Sequence, residues 1–509
     1  MALLGAHLVS VACLARQSGA PDAIVVGITS GPSSFDPRFG LDDVAQKVQA
    51  LIYDPLVTID EHLRIAPGLA QRLDHPDPTT YVAVLRQGVL FHDGHELTSA
   101  DVVHTFRTVS DPALASPKSG AYRVLSSVDA LDRYHVRFVL SKPQTNFPYE
   151  LVPLPVIPNG AGTDLNAHPV GTGPYRFARY AVDDHVELTA FAEHWRGAPK
   201  NVGLILKVVP DEVMRALEMR KGTMDIVVND VSPDLFFQLV RDPSLQSATS
   251  AGVDYQYVGV NLTDSILSDV RVRQGLAHAI DRHAIVKYLR RDLAIPANGL
   301  LPPTSWAFES DASGFTHDPD KARSLLDEAG YPDPDDTGPR LRFTLSLKVS
   351  NLEFNRLQAA VIQEDFRRVG VGLDVRTYEF ATLFADVLAG NFQLYTLQWT
   401  AGALADPDIL RRVFHTRQTP PTGYNRGRYS NPRVDSLVER AAQSSDEAER
   451  RILYKDAQRE LADDVPYISL WHKTNFVVAQ ASLSGLQLTP LADFSFLRHV
   501  ARTSASARD

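Results

Sequence analysis

Apolar and polar positions alternate along this chain in two periods, one strand-like and one helical. Residues 23–29 (AIVVGIT) form a short β-branched run that reads as a buried strand. Gly31-Pro-Ser-Ser-Phe-Asp-Pro37 follows and reads as a loop. A helix is predicted over 42–51, and strands over 56–59, 81–85 and 136–140. The best-patterned stretch is 88–106 (GVLFHDGHELTSADVVHTF). Residues 89–91 are strand-like, and Asp93-Gly94 is a turn signal because Gly accepts positive φ. Thr98 stands three residues before Asp101, the spacing of a capping box with Asp in place of Glu. Val102, Val103 and Phe106 supply the apolar face of the helix that follows.

Further on, 153–158 and Gly171-Thr-Gly-Pro174 mark irregular chain and a crossing between domains. A strand over 204–209, a helix over 213–221 stopped by Gly222, and a strand over 224–228 make a strand–helix–strand rhythm. That rhythm indicates a parallel α/β unit. Residues 255–262 read as a strand and 270–289 as one long helix. The second half repeats the alternation: helix 320–329 closed by Gly330, strand 341–349, helix 355–369 closed by Gly370, strand 371–378, helix 381–389 and strand 392–398. Helices over 432–442 and 447–463 follow. The run 467–478 is strand-like and can return the chain to the first half. Two α/β halves joined by extended crossings predict a two-lobed clamp with its ligand in the cleft.

Composition narrows the function. The chain has 509 residues, a formal charge of −10, 44% apolar and 22% charged residues, which excludes a disordered or fibrous protein. The acidic balance argues against a nucleic-acid partner. Beyond the first fifteen residues no apolar run approaches the roughly 20 residues of a membrane span. The single cysteine, Cys13, excludes an intrachain disulfide and a cysteine-only zinc site. It ends the apolar stretch Met1-Ala-Leu-Leu-Gly-Ala-His-Leu-Val-Ser-Val-Ala-Cys13, which reads as an export signal. Small residues before a lone Cys also resemble a bacterial lipobox, with Ser10 where that motif prefers Leu. Residues 1–22 are therefore read as a leader and linker, with Cys13 as a lipidation candidate.

Catalytic signatures are few. No P-loop, G-x-G-x-x-G, G-x-S-x-G or H-E-x-x-H occurs. Gly171-Thr-Gly173 is half a phosphate loop, and Pro174 makes a turn the better reading. His92, His95 and His104 lie close to Asp93 and Glu96 in the manner of a metal cluster, but Asp93-Gly94 already explains the local sequence. Asp406 and Asp408 are paired carboxylates that suit acid/base work or a cation. They suit equally a helix cap ahead of Ile409, Leu410, Val413 and Phe414. Arg411, Arg412 and Arg426 can pair with an acidic ligand group. Trp399, at a strand exit beside small residues, can wall a pocket or pack in a core.

Residues 88–106 resemble the signature of the family 5 solute-binding proteins, the peptide/nickel group of ABC-importer receptors. Phe91, His92, Asp93, Gly94, Leu97, Thr98, Asp101, Val102, Thr105 and Phe106 carry the likeness. Further segments agree in order: Gly171-Thr-Gly-Pro-Tyr175, Gly222 with Asp225-Ile226, Asn261, VRVRQGLAHAIDR from Val270, and KARSLLDEAGY from Lys321. Asn425 to Tyr429, Asn431-Pro432, Val434-Asp435 and Leu437 complete the series.

The resemblance implies an α/β, two-lobed periplasmic-binding-protein fold of type II, in its large three-domain variant. Lobe I would comprise 23–50, 168–260 and 472–509, with an inserted domain over 51–167. Lobe II would be 261–471. It implies a monomeric, non-enzymatic receptor outside the inner membrane. Such a receptor takes a peptide or peptide-like solute and delivers it to ABC permease subunits, without cofactor or metal. The site would draw on Ser33, Ser34 and Phe35 of the N-terminal loop, with Trp399, Thr400, Gly402, Asp406, Tyr424, Asn425 and Arg426. In peptide-binding members an Asp shortly after the Trp pairs with the peptide ammonium. This chain has Gly402 at that place, and the next acid is Asp406. The other readings are a receptor for a sugar, opine, haem or nickel chelate, the last two through His415 or the His92 cluster, and an exported hydrolase using Asp406, Asp408 or a His as acid/base.

Overall fold

The computed structural model describes residues 22–503 apart from positions 313, 336, 337 and 422. Cys13 and the rest of the leader therefore lie outside the described residues.

An 11-stranded sheet runs through both halves of the molecule. In the first lobe the buried strand Ile24–Ile28 lies between Gly203–Val208 and Ile226–Val228, parallel to both. Helix Glu212–Lys221 makes the crossover and stops at Gly222, whose φ of 68° is left-handed. Glycine takes that conformation without the steric penalty of a Cβ. Strands His185–Ala190 and Tyr175–Ala181 extend the edge antiparallel.

The second lobe uses the same grammar. Phe343–Ser350 is parallel to both Val371–Tyr378 and Leu394–Trp399, and helices Glu353–Arg367 and Phe380–Ala389 make the connections. The strand–helix–strand rhythm of the sequence thus becomes a parallel unit in each lobe.

Two long antiparallel strands, Leu245–Val260 and Tyr467–Gln480, join the lobes. Their first-lobe ends pair with each other, and Val477–Ala479 also pairs with Ile226–Val228. At the second-lobe ends Tyr255–Val260 pairs with Leu394–Trp399. The register shifts between Ala251 and Tyr255. Residues 252–254 there face the single residue Lys473. Gly252 fits this point because a Cβ would stand 2.5 Å from the Lys473 carbonyl oxygen.

A separate antiparallel sheet of four strands, Ala70–Asp77, Thr80–Leu85, His135–Leu140 and Leu125–Asp132, is built from the inserted segment. Helix Ser99–Ser110 covers it with Val102, Val103 and Phe106, all buried. The capping box forms: Asp101 Oδ2 accepts from the Thr98 amide at 2.7 Å. Only an isolated bridge, Leu90 to Glu96, forms at the strand-like run before it.

The long helix expected over 270–289 is broken. It runs Val270–Ala279, and after Ile280 a new start is capped by Asp281, whose side chain accepts from the Ala284 amide. A π-helical segment, Ile285–Leu289, ends it. Gly171-Thr-Gly173 is a tight crossing rather than a phosphate cradle. A Cβ on Gly171 would lie 2.1 Å from the Ile52 carbonyl oxygen, and the Gly173 amide donates to that same oxygen at 2.9 Å. No helix among the described residues is long and apolar enough to cross a membrane.

Candidate functional site

Trp399 closes the strand Leu394–Trp399 and is 8% exposed. The Tyr424 ring meets it edge-on at 5.4 Å. The Arg426 guanidinium lies 4.8 Å from the Trp399 ring and 5.2 Å from that of Phe384. Arg426 Nη1 donates to the Tyr257 hydroxyl at 3.2 Å. Behind it, Tyr257 stacks on Tyr467 at 4.1 Å and meets Tyr395 edge-on at 5.8 Å. The sheet explains this convergence. Three neighbouring strands project alternate side chains to one face, and Gly259 opposite Tyr395 leaves room for the ring, which a Cβ would approach to 2.2 Å.

Burial works against the charge on Arg426. The surrounding hydroxyls of Tyr257, Tyr467 and Tyr395 outweigh it and hold the guanidinium pKa above its ordinary value. No carboxylate among the described residues pairs with this side chain. Trp399 Nε1, Arg426 Nε and the Tyr395 and Tyr467 hydroxyls are buried without a partner. Thr400 and Gly402 are exposed on the strand exit and the short helix Ala401–Leu404. A Cβ at Gly402 would meet nothing within 4 Å.

Two of the expected site residues turn away from this cluster. Asn425 is 2% exposed, and its amide binds its own loop. Nδ2 donates to the Tyr429 carbonyl at 2.7 Å, and Oδ1 accepts from the Tyr429 amide at 2.9 Å. Asp406 is buried in the seam where its loop packs against the segment around Asn146. Its Oδ2 accepts from Asn146 Nδ2 at 2.8 Å, and its Oδ1 from the Asp408 amide at 3.0 Å. Burial first, and then the Asp408 charge, push the Asp406 carboxyl up to about 6. Asp408 itself is held by Arg411 through contacts of 2.8 and 2.6 Å. Arg412 pairs with Glu150 across the seam, and Thr145 donates to the Ala442 carbonyl at 2.7 Å. Trp306 Nε1 donates to the Tyr149 hydroxyl at 3.1 Å, and Leu63 is fully buried among second-lobe side chains.

The N-terminal loop lies in the first lobe. The exposed Ser33 donates to Asp42. Ser34 Oγ sits 3.0 Å from Asn166 Oδ1. Phe35 is buried edge-on against Phe177 and Tyr180 at 5.0 and 5.2 Å. None of the three shares a hydrogen bond or ring contact with Trp399, Tyr424 or Arg426.

Sequence reasoning missed the charges gathered at the crossing strands. Lys473 is lowered by burial, with Asp254, Arg290, Asp230 and Lys47 around it, and Asp230 is raised by burial. Gln398 donates to Asp254 at 2.9 Å. The available signal was the polar break His472-Lys473-Thr474-Asn475 inside an otherwise apolar strand. The tyrosines behind Arg426 carried no such signal.

The histidines are engaged separately. His92 Nε2 lies 2.9 Å from the Gly173 carbonyl, His95 pairs with Asp93, His104 reaches the Ala161 carbonyl, and His415 lies 2.9 Å from Glu439. No group of three or more His, Cys, Asp or Glu among the described residues could hold a metal ion.

Comparison with known proteins fits this architecture. The model for bacterial extracellular solute-binding proteins, family 5, middle region, matches residues 64–420. The glutathione-binding protein GsiB of Pectobacterium atrosepticum is 29% identical over 96% of both chains. Among solved structures, HbpA2 of Haemophilus parasuis superposes with a TM-score of 0.85 and 26% identity, covering 95% of this chain and 100% of that one. DppA of Helicobacter pylori in complex with the peptide STSA gives 0.76 and 25%, covering 95% and 98%.

Proposed function

This chain belongs to the family 5 bacterial extracellular solute-binding proteins, and from that premise we propose that it captures a peptide or peptide-like solute for an ABC importer. It binds outside the inner membrane, closes its lobes on the ligand and hands it to permease subunits. It works as a monomer and without chemistry of its own. Cys13 fits a lipid anchor in this reading, and residues 1–22 a leader.

The observation that carries the proposal is the aromatic and cationic cluster at Trp399 and Arg426, where the strand Leu394–Trp399 ends. The relatives named for glutathione and for a bound peptide support the ligand class. In the proposed division, the first lobe comprises 23–50, 168–260 and 472–509, the inserted domain 51–167, and the second lobe 261–471. Trp399 and Tyr424 wall the pocket, Thr400 and Gly402 edge it, and Arg426 provides its charge. Asn425 and Asp406 shape it from behind through the loop and the seam. Ser33, Ser34 and Phe35 approach from the first lobe.

Native mass spectrometry of the gently purified chain tests the proposal. Adducts spaced like small peptides and lost on denaturation are expected. A single discrete adduct of sugar or chelate mass would replace the peptide with that solute. Trp399→Ala should weaken binding of trialanine or glutathione at least about tenfold, since a buried aromatic wall contributes about 1.5–3 kcal/mol. Unchanged affinity with the fold intact would remove Trp399 from the site.

A further inference from the structure

Other buried arginines in this protein have their donors engaged, Arg38 mainly on the Asp36 carboxylate and three more on backbone carbonyls. Arg282 donates to the carbonyls of Ser469, Ala277, Ile280 and Phe315. Arg273 holds Asp464, Leu267 and Ser268. Arg215 holds Asp230, Val209 and Pro210. These side chains are structural clamps, and their exposures of 6, 5 and 5% fit that role.

Arg426 is equally buried at 7% exposure, yet it donates one hydrogen bond, to Tyr257. A guanidinium has five N–H donors and no acceptor. A buried charged donor left without an acceptor costs more than an ordinary hydrogen bond returns. The indole N–H of Trp399 beside it is also a donor without a partner. The acids that flank Trp399 and Arg426 in sequence are committed elsewhere, Asp406 to Asn146, Asp408 to Arg411, Asp435 to the Thr416 amide and Glu439 to His415. At Gly402, on the open side, no carboxylate is supplied although one would fit.

From this geometry we propose that the Trp399–Arg426 pocket is an anion subsite that takes a ligand carboxylate on the Arg426 guanidinium, against the Trp399 ring. The proposal rests on the reading that this pocket is the ligand site, and it specifies the sign of the group bound there. An ammonium would meet the like charge of Arg426 and the Trp399 N–H, whereas a carboxylate accepts from both and suits the planar fork of Arg. The substrate class is therefore peptides and peptide-like acids anchored through a carboxylate. Recognition of an ammonium at this end of the cleft is absent, because Gly402 replaces the acid that would provide it.

Calorimetry with trialanine and glutathione, each as free acid and as carboxamides, tests the inference. In the native chain, amidation of one carboxylate should weaken binding at least about tenfold. In Arg426→Gln the acid should bind at least about tenfold more weakly, and the difference between acid and amide should shrink below about threefold. Amides that bind as tightly as acids would overturn the proposal, as would an acid–amide difference that survives in Arg426→Gln. Gly402→Asp provides a second variant at an exposed, open position. It should keep the native melting temperature and weaken the acids at least about threefold through like-charge repulsion, and tighter binding of the acids would contradict the proposed sign. If none of these peptides or amides binds, the peptide reading falls separately. The sign of the subsite is then read from thermal shifts with phenylacetate and phenethylammonium. Stabilisation by phenylacetate that Arg426→Gln abolishes supports the anion subsite, and stabilisation by the ammonium alone overturns it.

Discussion

Replacing Asp406 with Asn should stabilise this protein at neutral pH and have little effect in acid. Asp406 is 9% exposed, and its two oxygens are fixed by Asn146 and the Asp408 amide. In the folded chain its carboxyl holds a proton up to about pH 6, compared with 3.8 for the free group, because of burial first and Asp408 second. Between those values the folded state binds more protons than the unfolded one. The contribution of this group is therefore fully present below pH 4 and is lost as pH rises through 6. A rise of this size corresponds to at most about 3 kcal/mol, so the gain at pH 7.5 is on the order of 1–3 kcal/mol. The amide introduced at 406 is neutral like the protonated acid. Asn146, whose Nδ2 already lies 3.4 Å from Asp408 Oδ2, can turn toward that neighbour. Thermal melts of both chains from pH 4.5 to 7.5 provide the assay. Asp406→Asn should melt about 1–5 °C higher at pH 7.5, and the gap should narrow to about a third of that at pH 4.5. A variant that melts lower at pH 7.5, or a gap that stays constant with pH, would refute the argument that an ionised Asp406 is the strained partner in the seam.

Other predictions concern single contacts. Asn425→Ala removes both hydrogen bonds between the amide and Tyr429 inside a buried loop. It should cost about 2–3 kcal/mol of stability in urea unfolding, with any loss of affinity following the loss of loop order. Gly171→Ala would drive a Cβ to within 2.1 Å of the Ile52 carbonyl oxygen. Loss of soluble expression or destabilisation beyond about 3 kcal/mol is expected, whereas Gly402→Ala, in open space, should melt within about 1 °C of the native chain. Arg412→Ala breaks the pair with Glu150 across the seam. Small-angle scattering at low ionic strength should show a larger radius of gyration, with the difference shrinking at high salt.

Much of the fold was legible because local chemistry and tertiary position agree. The capping box at Thr98 and Asp101 and the parallel units around 204–228 and 341–378 follow from residue types alone. The strand over 245–254 was missed because Gln246-Ser-Ala-Thr-Ser250 has weak β character. Its conformation is set by pairing with residues more than two hundred positions later. The polar edge strand Ala70–Asp77 was missed because half of it faces water and its apolar alternation is weak, although its partner strand is adjacent in sequence. The helix over 270–289 was read as continuous because its apolar period persists, while the Asp281 cap that breaks it is a single residue.

At the site, Trp399, Tyr424 and Arg426 could each be named from sequence, and their mutual contact depends on the sheet. Asn146 was invisible, because only tertiary packing brings it to Asp406, 260 positions away. Asn425 shows the limit of motif transfer. Its side chain is committed to its own loop, so the residue type says nothing about which way the amide points.

The two strands that run unbroken through both lobes give this molecule a mechanical character that loop hinges lack. A hydrogen-bonded ribbon resists shear and in-plane bending but flexes across its face, so it behaves as a leaf spring. The shift at Ala251 and Tyr255, with three residues against Lys473, loosens the pairing of these two strands, while Ala294–Pro296 backs Lys473 from the other edge. Opening would then be guided by these two paired strands along one arc. The stiffness at that shift, set by Gly252 and its close approach to Lys473, would tune how quickly a bound solute is released.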